Sequence, residues 1–142
     1  VKEIADKEGT KVIVVCAEIE SELVDLDDED REMFLEDLGI KESGLDALVK
    51  EGYRILGLCT FFTAGEQECR AWTFRKGMTA PKCAGVIHSD FERGFIKAET
   101  YTYDDLMIYG TPLKVKEAGK VRMEGKEYIV QDGDIMLFRF NN

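Results

Sequence analysis

Two neighbouring stretches decide the fold of this chain: RAWTFRKG at positions 70–77 and AGVIHSDFERGF at positions 84–95. In the first, Arg70, Trp72 and Phe74 alternate with smaller residues, which predicts a strand with two different faces. Pro81 lies between the stretches and predicts the first turn of a short helix. A second strand is expected from Gly94. The block contains the only Trp and the only His of the chain, and we expect it to form a binding face.

Further strands are expected on both sides of this block. Residues 58–63 are apolar and β-prone, and a turn at 64–67 leads into the strand that contains Trp72. A short helix is expected from Pro112, followed by an apolar segment at 128–130, a turn at Asp132-Gly133 and a last strand over 135–140. This order predicts an α+β domain with a helix across a mixed sheet, as in the β-grasp or ubiquitin-like fold.

Charge divides the chain near Gly57. Residues 1–57 hold 17 acidic and 7 basic residues and so carry the whole net charge of −10, whereas residues 58–142 hold 12 of each. Such a break indicates a domain boundary, which gives two domains, 1–57 and 58–142. Because the acidic part repels nucleic acid, any contact with a polyanion is expected in the second part.

The N-terminal part is expected to be the end of a larger α/β domain. Residues 11–17 form a continuous β-branched run, which predicts a strand buried on both faces. One helix is expected around Ile19 and Leu23, and another is expected to be capped by Asp27 and ended by Gly39. A third is expected to open at Ser43. The inward-facing residues of the last two helices are predicted to be Met33, Phe34, Leu38, Leu45, Leu48, Val49, Tyr53 and Leu56.

Several classes of protein are disfavoured by composition. No segment approaches the ~20 apolar residues needed to span a bilayer, and the first residues are too charged for a signal peptide. The four cysteines show no CxxC spacing and no His at metal-site distance. We therefore expect a cytoplasmic protein with reduced thiols, without a metal site and without catalytic residues of its own.

Five segments resemble the C-terminal TGS domain of the YchF / Obg-like ATPase family: FFTAG at 61–65, RAWT at 70–73, AP at 80–81, IHSDFERGF at 87–95 and YIVQDGD at 128–134. In the N-terminal part, VVCAEIE at 14–20 is similar to the last guanine-nucleotide-type loop of that family. LDDED at 26–30 and SGL at 43–45 are similar to the helices that close its nucleotide domain. The resemblance implies a β-grasp TGS domain over 58–142, preceded by the helical C-terminal remnant of an α/β P-loop nucleotide domain over 1–57.

The resemblance also implies an activity for the full-length family. YchF-like proteins are cytoplasmic P-loop enzymes that hydrolyse ATP in preference to GTP, use Mg²⁺ and associate with ribosomes. The phosphate-binding pattern G-x-x-x-x-G-K-[ST] does not occur here, nor does the base-reading Asn-x-x-Glu element. This fragment is therefore expected to hold no nucleotide alone and to be no enzyme. Val15, Cys16 and Ala17 are expected to line a base pocket only together with the rest of the nucleotide domain.

Eight residues are candidates for contact with RNA or a protein partner: Arg70, Trp72, Arg75, Lys76, Lys82, His88, Arg93 and Lys97. The cations would contact phosphates, and the aromatic rings would stack on unpaired bases. Structural alternatives stand beside these roles. Trp72 can be a core aromatic residue, His88 can cap backbone carbonyls, and the cations can be ordinary solvated charges.

Two functions follow from the sequence. The first is a module that associates with the ribosome or RNA, without evident DNA specificity and without a membrane partner. The second is a ubiquitin-like protein-interaction module that docks on its own nucleotide domain or on a protein partner. An enzymatic role through Cys16 or His88 ranks below both. RNA binding weakens steeply with salt and apolar docking does not, so salt dependence separates the two functions.

Overall fold

The structure, a computed structural model, describes residues 1–65 and 68–141 and divides into two compact units. The first unit is Val1–Leu56 and the second is Gly57–Asn142. We call them the helical unit and the sheet unit. The division falls beside Gly57, where the charge composition changes. Part of the turn expected at 64–67 lies outside the described residues.

The helical unit contains four helices: α1 (Lys2–Glu8), α2 (Ala17–Val24), α3 (Asp28–Asp37) and α4 (Gly44–Leu56). The start of α3 is fixed by Asp27, whose carboxylate accepts a hydrogen bond from the Asp30 N–H at 3.0 Å. Gly39 takes a φ of 68°, which lets the chain leave α3 in the left-handed conformation. The cap and the stop expected from the sequence are therefore both present.

The strand expected over residues 11–17 is not formed. Residues 11–16 belong to no strand among the described residues, and Ala17 already begins α2. Val14 and Val15 are 75% and 50% exposed. A strand exists only through hydrogen bonds to a neighbouring strand, and the helical unit contains no other strand in its described residues. The prediction of a buried strand was therefore wrong for this chain, because local β-propensity cannot replace the missing ladder.

The residues that face inward in α3 and α4 also differ from those predicted. In α3 the buried residue is Leu35, while Met33 and Leu38 are exposed. The apolar side of α4 is exposed along its length, and its members are Leu45, Leu48, Val49, Tyr53 and Leu56. The 3.6-residue period correctly predicted an amphipathic helix, but it cannot tell whether this chain provides something to cover the apolar side.

The described residues of the sheet unit form five strands: β1 (Leu58–Ala64), β2 (Cys69–Arg75), β3 (Phe95–Thr102), β4 (Arg122–Glu124) and β5 (Asp134–Phe140). Their order across the sheet is β2-β1-β5-β3-β4. The central pair β1–β5 is parallel, and the other pairs are antiparallel. A mixed sheet in this order is the β-grasp arrangement, so the predicted α+β class is confirmed.

Helices cover both faces of this sheet. On one face, α5 (Ala80–Ile87) contributes Cys83 and Ala84 to the larger core, followed by the short α6 (Ser89–Arg93). On the other face, α7 (Tyr103–Tyr109) and α8 (Pro112–Glu117) pack over Tyr101 and Ile135. We call these the α5 face and the α8 face. Residues 128–130 contribute one isolated bridge, between Thr79 and Ile129, and the short β4 was not predicted from the sequence.

Candidate functional site

Trp72 is held on the α5 face of β2. Alternation places it beside Phe74, which is 3% exposed in the core, and Trp72 itself is partly buried against that core. Its indole Nε1 donates a hydrogen bond to the Thr63 hydroxyl at 2.9 Å. The Arg70 guanidinium lies 4.2 Å from the indole ring centroid, in cation–π contact. The indole is therefore engaged by the core, by a hydrogen bond and by a cation, which favours its structural role.

Three of the candidate cations on the α5 side are already paired with acids. Arg70 lies 3.7 Å from the Glu68 carboxylate, and Lys82 lies 2.6 Å from that of Glu92. Arg93 lies 3.7 Å from the Asp90 carboxylate. All three cations remain more than half exposed, so these ion pairs contribute little to stability. They do reduce the positive charge that this side offers to a polyanion.

His88 caps the short helix α6. Its Nδ1 accepts a hydrogen bond from the Asp90 N–H at 3.2 Å and lies 3.5 Å from the Asp90 carboxylate. The imidazole also contacts the Phe91 ring, with 6.1 Å between the ring centroids. His88 therefore has a structural capping role, but its Nδ1 caps the Asp90 N–H and not the backbone carbonyls expected from the sequence.

Arg75 and Lys97 lie on the opposite face of the sheet. Their neighbours Phe74 and Ala98 are buried in the core beneath α5, so alternation directs Arg75 and Lys97 to the α8 face. Lys76 follows β2 in a turn. Within residues 1–65 and 68–141, none of these three cations takes part in an ion pair.

Arg75 and Lys97 are far apart on that face. Arg75 pairs with Leu58 at the start of β1, whereas Lys97 pairs with Arg139 near the end of β5. The parallel pairing of Phe62 with Ile135 sets the register between β1 and β5. Arg139 and Leu58 are then offset by about 26 Å along the strands at ~3.3 Å per residue. The eight candidates therefore do not form one surface.

A pocket on the α8 face was not predicted from the sequence. It has a volume of about 290 Å³, and its apolar lining includes Ala64, Tyr101, Leu113, Val121, Ile135 and Leu137. Glu99 and Lys116 are the charged members of the lining. Arg139 donates from Nε to the Glu99 carboxylate at 2.9 Å. The lining comes from separate elements that only the β-grasp topology brings together, so no local pattern could have indicated it.

A buried polar cluster lies at the start of β5. Asp134 is fully buried, and its carboxylate accepts hydrogen bonds from the Tyr128 hydroxyl at 2.7 Å and from the Gln131 N–H at 2.9 Å. Arg122 approaches the same carboxylate at 3.3 Å. Burial, with the hydrogen bond to Asp134 as a second cause, raises the pKa of the Tyr128 phenol. The cluster satisfies a buried carboxylate, which is a structural role.

The predicted base-side loop packs against the start of α4. Cys16 is the N-cap of α2, and Val15, Cys16 and Ala17 are all exposed. The Gly44 N–H donates to the Glu20 carboxylate at 2.7 Å. A Cβ on Gly44 would lie 2.9 Å from the Val14 carbonyl oxygen and from the Val15 Cα. Close backbone approach therefore fixes Val14 and Val15, while the outer surface of residues 14–17 stays accessible.

Among the described residues, the thiols and carboxylates show no metal-binding arrangement. In the part of the chain that the structure describes, no group of three His, Cys, Asp or Glu residues is placed to hold a metal ion. The four cysteines are free, and burial raises the pKa of the Cys83 thiol to about 12. Over the same described residues, no helix has the length and apolar character needed to cross a membrane.

The strand order and the two helical layers define the class of this protein: an α+β β-grasp domain preceded by a helical segment. Residues 58–141 match the family model YchF-GTPase_C, described as "Protein of unknown function (DUF933)". The chain belongs to this YchF family, as the resemblance of its motifs predicted.

Relatives of known name agree with that assignment. The chain is 65% identical over 141 residues to the ribosome-binding ATPase YchF of Bacillus subtilis (strain 168), covering 99% of this chain and 38% of the relative. It is 52% identical to the protein of the same name from Escherichia coli O157:H7, covering 99% of this chain and 39% of that relative. The structure of the Schizosaccharomyces pombe YchF GTPase matches with a TM-score of 0.82 and 37% identity, covering 97% of this chain and 37% of that one. The chain therefore spans under two-fifths of the length of these relatives.

Proposed function

We propose that this chain acts as the ribosome-contacting C-terminal part of a YchF-type ATPase. In this proposal, residues 58–142 form a TGS domain that contacts ribosomal RNA, and residues 1–57 complete the nucleotide domain. The observation that carries the proposal is the 65% identity, over almost the whole chain, to a relative named as a ribosome-binding ATPase. The protein would then work in the cytoplasm, where ribosomes are found.

The nucleotide chemistry belongs to the rest of such a protein. This sequence lacks the G-x-x-x-x-G-K-[ST] loop that holds phosphates and Mg²⁺, so we infer that this chain alone does not hydrolyse nucleotide. Val15, Cys16 and Ala17 would face the base of ATP or GTP. The packing of Gly44 against Val14 supports this role, because it holds the loop in one conformation without covering its outer surface.

The distribution of charge supports RNA contact by the sheet unit. This unit balances its charges, whereas the helical unit carries the net charge of −10. Arg75, Lys76 and Lys97 have no ion-pair partner among the described residues, so their charge is available to phosphates. Contact must be local and oriented, with the acidic helices directed away from the RNA.

Co-sedimentation with purified 70S ribosomes tests this function. The chain should pellet with ribosomes at about 50 mM salt and be largely released at about 200 mM, because phosphate contacts release counterions. Bovine serum albumin, another acidic protein, serves as the control for trapping. If the chain stays in the supernatant at the lower salt concentration, the proposal is wrong.

A second function is favoured by the helical unit. The apolar side of α4 is exposed along its length, including Leu45, Leu48 and Leu56 at 54%, 51% and 63%. An exposed apolar row of this kind indicates a docking surface. The alternative is therefore a protein-interaction module that docks on its own nucleotide domain or on a protein partner. Ribosome association that is indifferent to salt would favour this alternative.

A further inference from the structure

The pocket on the α8 face has a size that suits one ring. Its volume of about 290 Å³ lies at the lower limit of the roughly 300–1,000 Å³ typical of small-molecule sites. Tyr101 and Ile135 form its buried floor, and Leu113 and Ala64 are exposed lining residues. A flat apolar group can therefore enter from solvent, whereas an intact nucleotide with its sugar and phosphates is too large.

The charges around the pocket are predominantly positive. Lys116 is part of the lining, and Lys97 lies on the same face, two residues before the lining residue Glu99. Neither lysine has an ion-pair partner in the described ranges 1–65 and 68–141. Glu99, 19% exposed, is the acidic lining residue, and its charge is compensated by Arg139 at 2.9 Å. An occupant with an apolar ring and negative charge beside it is therefore complementary to this site.

We propose that this pocket receives one unpaired base of an RNA partner, with the neighbouring phosphates held by Lys97 and Lys116. The inference rests on the proposed RNA-contacting function and adds a site and a preference to it. Unpaired bases are what proteins most often recognise in RNA, since bases inside a duplex are stacked and cannot enter a pocket. The chain should therefore prefer single-stranded RNA over a paired stem.

The pocket can be filled without disturbing the core. Ala64 is exposed at the end of β1, so Ala64→Leu adds bulk within the pocket mouth. Ala71→Leu is the matched control, because Ala71 is an exposed alanine on the same face of the adjacent strand and is not a lining residue. Leu113→Ala, at an exposed lining position on α8, provides a second variant if Ala64→Leu has a lower melting temperature than the parent chain.

The test is a fluorescence-anisotropy titration of the whole 142-residue chain. The two probes are a short single-stranded RNA of mixed sequence and a fully paired RNA stem of equal length. Ala64→Leu should weaken binding to the single strand by about tenfold, the loss expected for one base contact, and leave binding to the stem unchanged. Leu113→Ala should weaken binding to the single strand by a smaller factor. Ala71→Leu should match the parent chain on both probes.

The outcomes separate this inference from the function on which it rests. If the parent binds RNA and Ala64→Leu binds the single strand equally well, the pocket inference is wrong and the proposed function stands. Equal weakening on both probes also overturns it, because base selectivity is then absent. If Ala64→Leu reduces only salt-insensitive ribosome association, the occupant is a protein side chain and the inference fails. If the parent binds neither probe nor ribosomes, the proposed function fails and the inference with it.

Discussion

Tyr128 donates a hydrogen bond of 2.7 Å to Asp134, a carboxylate with no exposed surface. The two residues connect the segment before β5 to the first residue of that central strand. A buried charge is costly unless its oxygens are hydrogen-bonded. Asp134 meets this requirement through Tyr128, Gln131 and Arg122, so the cluster fixes the conformation in which β5 enters the sheet.

We expect Tyr128→Phe to lower the free energy of unfolding by about 1–2 kcal/mol, because it removes one donor from a buried carboxylate. Urea unfolding followed by circular dichroism measures this change. Tyr103→Phe is the matched control, since Tyr103 is 47% exposed and its loss of a hydroxyl should change little. Equal midpoints for parent and Tyr128→Phe would show that the hydrogen bond does not stabilise the fold.

The sheet unit should lose stability in alkaline solution through Cys83. Burial raises the pKa of this thiol from 9.0 to about 12. Between these values the unfolded chain releases the thiol proton while the folded chain keeps it, so stability falls as pH rises. The contribution is complete below pH 9 and declines by up to about 1.4 kcal/mol per pH unit above it. Urea unfolding at a series of pH values measures this slope.

Cys83→Ala should flatten that alkaline slope, whatever it does to stability at neutral pH. The Tyr128 phenol, whose pKa is also raised by burial, leaves a residual slope in the same direction. Cys69→Ala is the control because Cys69 is exposed. An unchanged slope in Cys83→Ala would mean that this thiol is not the group that titrates.

The sequence predicted those parts of the fold that depend on local chemistry. The alternation around Trp72, the cap at Asp27 and the helix at Pro81 were each found where expected. The prediction of a strand at 11–17 was wrong because strand formation needs a neighbouring strand, which local sequence does not reveal. The pocket was missed for a related reason, since Ala64, Leu113 and Leu137 are close only after the sheet has formed.

The expected site illustrates the same limit. Sequence proximity suggested one binding face for the eight candidates from Arg70 to Lys97, but strand alternation sends Arg70 and Arg75 to opposite faces of β2. Two further candidates, Lys82 and Arg93, form ion pairs with Glu92 and Asp90. The Lys82–Glu92 pair depends on how α5 and α6 are positioned relative to each other, which composition does not encode, whereas Arg93 and Asp90 are i,i+3 neighbours within α6.

Gly44 and Gly52 should respond oppositely to substitution by alanine, although both lie in α4. A Cβ at Gly44 would approach the backbone of Val14 and Val15 at 2.9 Å, so Gly44→Ala should cost about 1–3 kcal/mol in the helical unit. A Cβ at Gly52 meets nothing within 4 Å, so Gly52→Ala should stabilise the helix by about 0.5–1 kcal/mol. Thermal melts followed by helical ellipticity provide the measurement. Similar melting temperatures for the two variants would contradict the close packing of Val14 and Val15 on α4.

Nucleotide turnover by this chain should equal the buffer blank. The phosphate-binding loop that positions Mg²⁺ and the γ-phosphate is absent from the sequence, so neither ATP nor GTP should be hydrolysed. A phosphate-release assay with and without Mg²⁺ makes the comparison. Cys16→Ser serves as a check, because turnover that depended on this residue would show that the exposed loop supplies chemistry of its own.

The two groups of cations in the sheet unit should contribute unequally to RNA binding. Replacing Arg75, Lys76 and Lys97 by Ala should lower the slope of log K against log salt by roughly three units, because each can release a counterion from RNA. Replacing Arg70, Lys82 and Arg93 should lower it by less. These three are already paired with carboxylates, which must first be separated from them.

The two triple variants are matched in charge, so a general electrostatic effect would change both slopes equally. Exposed cations contribute little to folding, and both variants should unfold close to the parent in urea. Filter binding of ribosomal RNA over a salt series gives the slopes. A larger loss from the acid-paired group would assign RNA contact to the α5 side of the sheet unit. Unchanged binding in both variants would remove these cations from the interface and favour the protein-docking function.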